Sequence, residues 1–247
     1  MENNTESCER RVYYVYSHFE PDTKICMYLP CHYFLSDLDK GGLYFTKRKG
    51  FIDIRENELP IGILFPISAV GENVPPQQVD NKETQRRIEL FRKYSSCGEL
   101  LTSCWTLREE ENYFMWYVYS HKFGVRIMTT IERLVTSIRT NDYEVYCGKI
   151  MYSNRFDLNH LEPNLFTKQT YYSDEREFRF FLLPTNDMVK EEDEDGSSIP
   201  LDWNALEPEV LLSPFLAKSC LSEKLQELES RYNFLKNVKP SKIKIKL

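Results

Sequence analysis

The sequence predicts an α+β domain built on a mostly antiparallel sheet flanked by helices. Short runs of β-branched and aromatic residues alternate irregularly with amphipathic stretches, and no period of 20 to 50 residues repeats. Apolar residues make up 41% of the 247-residue chain, enough for a core that buries roughly 70–75% of the unfolded surface. The longest apolar stretch, 59–70, is broken by Pro60, Gly62 and Pro66, well short of the ~18 residues of a membrane helix. A soluble chain with no membrane contact is therefore expected. Residues 1–11 lack the apolar core of a secretory signal, so a cytoplasmic location is expected too. The expected organisation is one domain over 1–247, with a flexible N-terminus at 1–10 and an acidic surface loop at 187–198.

Taken in order, Val12 to Ser17 reads as a strand from its β-branched and aromatic density. Leu29 to Leu38, closed by Gly41 and Gly42, reads as a helix with a glycine cap, and Leu43 to Thr46 as a second strand. Four prolines between Phe51 and Gln78 exclude a long helix or central strand there. Residues 80–94 place Ile88, Leu90, Phe91 and Tyr94 at amphipathic-helix spacing. Strands are predicted at Leu100–Trp105, Gly124–Met128, Glu144–Tyr152, Glu177–Leu183 and Glu209–Leu212, and helices at Glu109–Ser120 and Thr130–Ile138. Pro214 is predicted to open a helix reaching Arg231 with Leu216, Leu221, Leu225 and Leu228 inside. From Lys242 to Leu247, Lys alternates with Ile and Leu, the pattern of a half-buried strand.

Seven cysteines at irregular spacing, with no C-x-x-C and four histidines, read as reduced thiols without a metal site. The net charge of −6 is concentrated in the run 191–195; without those five acids, 33 acids face 32 bases. Six basic residues and no acid occupy 231–247, a sign asymmetry that raises a nucleic-acid reading. Lysines on a terminal strand also guard against edge-to-edge pairing, and that reading is preferred over nucleic acid.

No phosphate-cradling glycine loop, G-x-S-x-G or H-E-x-x-H is present. What remains is an ordered series: Tyr14-Val15-Tyr16-Ser17; Gly42 to Thr46 with Phe51 to Glu56; Ser103 to Thr106, Met115 to Tyr119 and Gly124-Val125; Lys168 with Glu175 to Arg179; then Val210 to Pro214 and Val238 to Ser241. In this series the chain resembles the bacterial family known as domain of unknown function twenty-nine seventy-one. The positions that carry the resemblance are Tyr14, Tyr16, Ser17, Asp53, Glu56, Met115, Trp116, Tyr119, Gly124, Val125, Lys168, Glu175, Glu177, Arg179, Pro214 and Ser241. Val15 and Ile52 stand where many relatives have His and Asn. The resemblance implies a prokaryotic effector or sensor of a phage-defence or toxin-like system, and with it a protein partner.

The motif residues admit three functions. One is an enzyme similar in plan to ADP-ribosyltransferases and using NAD. Glu177 is then the catalytic carboxylate and Glu175 its helper, with Tyr16 and Trp116 as stacking rings and Ser103 as strand partner. The competing reading of Glu175 to Arg179 is a solvated strand edge. The second is a non-catalytic ligand- or protein-binding module, in which Asp53, Glu56, Lys168, Glu175, Glu177 and Arg179 form a charge cluster and Arg179 grips Asp53 or Glu56. The third is a nucleic-acid binder using the lysine tail, with Trp116 and Tyr119 as a lesser stacking platform.

Overall fold

In the computed structural model the described residues are 12–14, 19–47, 68–69, 100–153, 166–185, 195–216 and 222–245. The chain runs β1 (Val12–Tyr14), β2 (Lys24–Pro30), α1 (Cys31–Lys40), β3 (Gly42–Lys47), β4 (Ser68–Ala69), β5 (Leu101–Thr106) and α2 (Tyr113–Val118). It continues through β6 (Gly124–Thr130), α3 (Ile131–Ser137), β7 (Tyr143–Lys149), β8 (Met151–Tyr152), β9 (Thr167–Lys168) and a 3₁₀ turn, Thr170–Glu175. The remainder is β10 (Glu177–Pro184), β11 (Gly196–Pro200), α4 (Trp203–Leu206), β12 (Glu209–Leu212), α5 (Ser222–Glu229), a second 3₁₀ turn, Asn233–Asn237, and β13 (Lys239–Pro240).

Eleven strands form one sheet in the order β13-β12-β6-β2-β5-β10-β7-β1-β4, with β3 joining β5 to β11. Only β1–β7 and β12–β13 pair in parallel; the other pairs of this sheet are antiparallel. The sheet forks at β5. Its Thr106 end pairs with Cys26 of β2, and its Leu101 end pairs with Lys47 of β3. The expected α+β class with a mostly antiparallel sheet is observed, and no helix among the described residues is long and apolar enough to cross a membrane.

Because side chains alternate along a strand, each strand divides its residues between two faces. Ile25, Trp105, Ile127, Phe178, Phe180 and Leu182 face α1, α3, α4 and α5, where Phe34, Leu134, Trp203 and Leu228 complete the main core. The opposite face carries two smaller clusters. One is built on Phe166, Phe181 and Leu183, the other on Tyr28, Met115, Trp116 and Leu211. Between them the alternation places Glu177 and Arg179 of β10, Cys104 and Thr106 of β5, Cys26 of β2 and Arg126 of β6.

Several expectations are corrected. The strand β2 was not anticipated, because both of its faces are buried and the period-2 signal vanishes; Pro30 then caps the helix that was expected to start at Leu29. Gly41, at φ 65°, closes α1 as predicted. The helix expected over 109–120 is only Tyr113–Val118, because the Asn112 side chain accepts from the Phe114 and Met115 amides and starts it late. Glu177–Arg179 is no solvated edge: β10 lies between β5 and β7 with all eight residues buried. Gly196 to Ser198, expected in the acidic loop, belong to β11. The strand expected over 144–152 breaks at Ile150, whose amide donates to the Glu177 carbonyl at 2.9 Å. Of the helix expected from Pro214, Ser222–Glu229 is described as helix, whereas Pro214 sits in a turn. Residues 241–245 form no strand. Residues 1–10, 15–18, 51–67 and 80–94, and 187–194 of the expected acidic loop, lie outside the described residues.

Candidate functional site

The polar seam on the second face is anchored by β10. Glu177 and Arg179, two apart on one strand, share a face. Arg179 donates through Nε to Glu177 Oε1 and through Nη2 to Oε2, the latter at 3.1 Å. Both are enclosed, Arg179 at 1% and Glu177 at 4% exposure. Lys168 Nζ bridges Glu177 Oε2 at 3.3 Å and Glu175 Oε2 at 2.7 Å, and lies 4.5 Å from the Tyr172 ring centre. The Tyr119 hydroxyl donates to Glu175 Oε1, and the Cys104 thiol bonds to Glu177. Among the described residues, two acids meet two bases here.

Local backbone geometry makes this possible. The 3₁₀ turn ends on Arg176 at φ 46°, a left-handed residue that lets the chain turn from Glu175 into β10. Thr106 Oγ1 donates to the Glu175 carbonyl at 2.5 Å, the Leu107 amide to the Arg176 carbonyl at 2.9 Å, and the Glu177 amide to the Tyr152 hydroxyl at 2.8 Å. Burial by itself raises the Glu177 pKa, but Arg179, Lys168 and Cys104 outweigh it and hold the carboxyl at about 2. Burial raises the Glu175 pKa and is only partly offset by Lys168 and Tyr119. Burial and the adjacent Glu175 charge push the Tyr119 phenol up, so it stays a donor.

The structure thus brings together Lys168, Glu175, Glu177, Arg179 and Tyr119, and it sets Ser103 and Trp116 apart. Ser103 lies on the main-core face, its Oγ accepting from Trp105 Nε1 at 2.9 Å. Trp116 is fully buried, edge-on to Tyr28 at 4.9 Å, and donates from Nε1 to Glu111 Oε2 at 3.1 Å, so neither ring face is offered to a ligand. Arg179 grips Glu177 on its own strand. Asp53 and Glu56, the partners expected for it, lie outside the described residues, as do Tyr16 and Ser17.

The same network fixes a surface element. Tyr119 follows α2 directly, so Glu175 holds the C-terminal end of that helix. Glu111 holds its N-terminal end, accepting from Trp116 and also from the Ser241 hydroxyl and, at 2.7 Å, from the Lys242 amide. Tyr28 supports the capping residue by accepting from the Asn112 amide at 3.2 Å. Clamped this way, α2 buries Met115 and Trp116 and leaves Tyr113, Phe114, Tyr117 and Val118 exposed. Phe123 is exposed beyond it, after His121 and Lys122, both at positive φ.

No family model, curated protein or solved structure matches this chain.

Sequence reasoning missed two features of this region. The first is the exposed aromatic face; its signal is the run Tyr-Phe-Met-Trp-Tyr-Val, in which no residue is charged. A helix apolar all round is either fully buried or presents a docking surface. The second is Arg126, a buried guanidinium whose Nη2 donates to Cys26 Sγ at 2.9 Å and to the Glu109 carbonyl, while Nε has no partner among the described residues. Burial raises the Cys26 thiol pKa to about 11, which keeps it protonated beside that cation. No group of three or more His, Cys, Asp or Glu among the described residues could hold a metal ion. A cleft of about 1060 Å³ lined by Asn204, Glu207, Glu229, Arg231 and Lys236 shares no residue with the network.

Proposed function

We propose that the chain is a non-catalytic protein-binding module and that α2 is its docking face. The observation that carries this reading is the exposure of Tyr113, Phe114, Tyr117 and Val118 on one short helix, continued by Phe123. Ordinary surface helices turn charges outward, whereas interfaces are enriched in Tyr and Phe. The buried ion network has a positioning role in this reading, because its acids are held by Lys168 and Arg179 and it fixes the helix through Tyr119. From the resemblance to the bacterial family, the setting is proposed to be a prokaryotic phage-defence or toxin-like system, with the chain as its effector or sensor.

The NAD-dependent reading asks more of Glu177 than its surroundings favour. A carboxylate that stabilises an oxocarbenium-like charge has to reach the substrate, and this one is enclosed and held by Arg179, Lys168 and Cys104. The test is to isolate the tagged protein from cells of its source and weigh the intact assembly by native mass spectrometry. A Phe114→Ser/Tyr117→Ser variant with unchanged melting temperature should lose the associated chain. Recovery of the unaltered protein as a bare monomer would overturn the module reading. Heat of NAD binding at millimolar concentration, together with nicotinamide release lost in Glu177→Gln, would establish the enzyme instead.

A further inference from the structure

We infer that the occupant of the α2 face is a second copy of this chain, packed about a two-fold axis with the two α2 helices antiparallel. This rests on the reading of α2 as a docking face. The face is built from Tyr113, Phe114, Tyr117, Val118 and Phe123, each between 39 and 62% exposed. At about 200 Å² for a whole aromatic side chain, half-exposed residues leave roughly 500 Å² bare on one copy. Two copies then remove about 1,000 Å² from water, the area at which a specific interface separates from casual contact. The expected dimer is accordingly weak, dissociating in the micromolar range.

Charge decides the orientation. The helix itself carries no charge, so self-pairing meets no repulsion across its centre. Its rims differ in sign. Exposed Glu110 precedes its N-terminal end, Glu109 beside it being paired with Lys24 at 3.0 Å, while Lys122 follows its C-terminal end, with Nζ 4.7 Å from the Tyr117 ring centre. Six residues span about 9 Å, so an antiparallel pair sets Glu110 of each copy against Lys122 of the other. A parallel pair would set acid against acid. A two-fold axis makes both contacts at once, because each copy offers the same patch.

The turn after α2 is organised to keep Phe123 outward. His121 and Lys122 sit at φ 49° and 69°, a left-handed conformation disfavoured for both, and it persists because the surroundings fix it. The Lys122 amide donates to the Trp116 carbonyl at 3.1 Å, the Ser213 hydroxyl donates to the Lys122 carbonyl, and the Cys31 amide donates to the Phe123 carbonyl at 3.1 Å. With its backbone bonded on both sides, Phe123 is presented to solvent as part of the same face.

The test is sedimentation velocity of the purified full chain from low to high micromolar concentration at low salt. The expected result is a concentration-dependent dimer whose dissociation constant rises about tenfold or more in Phe114→Ser, with an unchanged melting temperature. Glu110→Lys and Lys122→Glu should each weaken the dimer severalfold, and the two together should restore it. A protein that stays monomeric throughout, or a dimer indifferent to Phe114→Ser, overturns the inference. If such a monomer still retains a different protein when isolated from source cells, only the choice of occupant fails. If it retains none, the docking reading fails with it.

Discussion

Replacing Arg179 with Ala tests whether the buried network holds the second face of the sheet. Arg179 and Glu177 are almost wholly enclosed, so the substitution strands a carboxylate away from water. Removing one partner of a buried pair costs about 3–5 kcal/mol. Lys168 at 3.3 Å and the Cys104 thiol remain on Glu177, which places the expected loss near the lower end, about 3 kcal/mol. For a chain of this size that lowers the melting temperature by roughly 6–12 °C. The loss should depend on pH with a definite sign. In the unaltered protein the Glu177 pKa is about 2, below its ordinary 4.5, so its stabilisation is present above pH 4.5 and is lost as pH falls toward 2. Without Arg179 the strongest influence holding that pKa down is gone and it rises, so the variant loses less than the unaltered protein as pH falls. Urea denaturation should therefore show the deficit widest near neutrality and shrinking below about pH 4.5. A deficit under about 1 kcal/mol, the worth of an exposed pair, or one that does not change with pH, would refute the reasoning.

Three further substitutions follow from the same geometry. Tyr119→Phe removes the donor to Glu175 and should cost about 1.5–3 kcal/mol, with faster hydrogen exchange at the Met115 and Trp116 amides; unchanged protection there would sever the link between network and helix. Glu111→Ala frees the Trp116 indole, the Ser241 hydroxyl and the Lys242 amide together, so trypsin should cut after Lys242 and Lys244 sooner, and an unaltered cleavage rate would argue against this anchor. Burial raises the Asp37 pKa from 3.8 to about 7, so its share of stability is present below pH 3.8 and is lost as pH rises toward 7. Asp37→Asn should flatten that decline, and an identical pH profile would remove Asp37 as its source.

Residue spacing specifies the class of fold and most of its element types, because period and punctuation act locally. The helix closed by Gly41, the strands at 43–46, 101–105, 124–128 and 177–183, and the shared face of Glu177 and Arg179 all follow from residue spacing. Lys168 and Glu175 were joined to that pair only through the resemblance, because they lie on β9 and in the 3₁₀ turn, where strand spacing cannot reach. Tertiary structure decided what the spacing left open. A strand of alternating charges and aromatics reads as an edge in sequence, and only the pairing of β10 on both sides made it central and its ions buried. The strand β2 was hidden because burial on both faces erases alternation. The ends of α2 were set by distant residues, with Glu175 56 positions and Ser241 130 positions away from their partners Tyr119 and Glu111. Only that clamping decides which side of Tyr-Phe-Met-Trp-Tyr-Val is buried, since a helix apolar all round carries no inside or outside of its own.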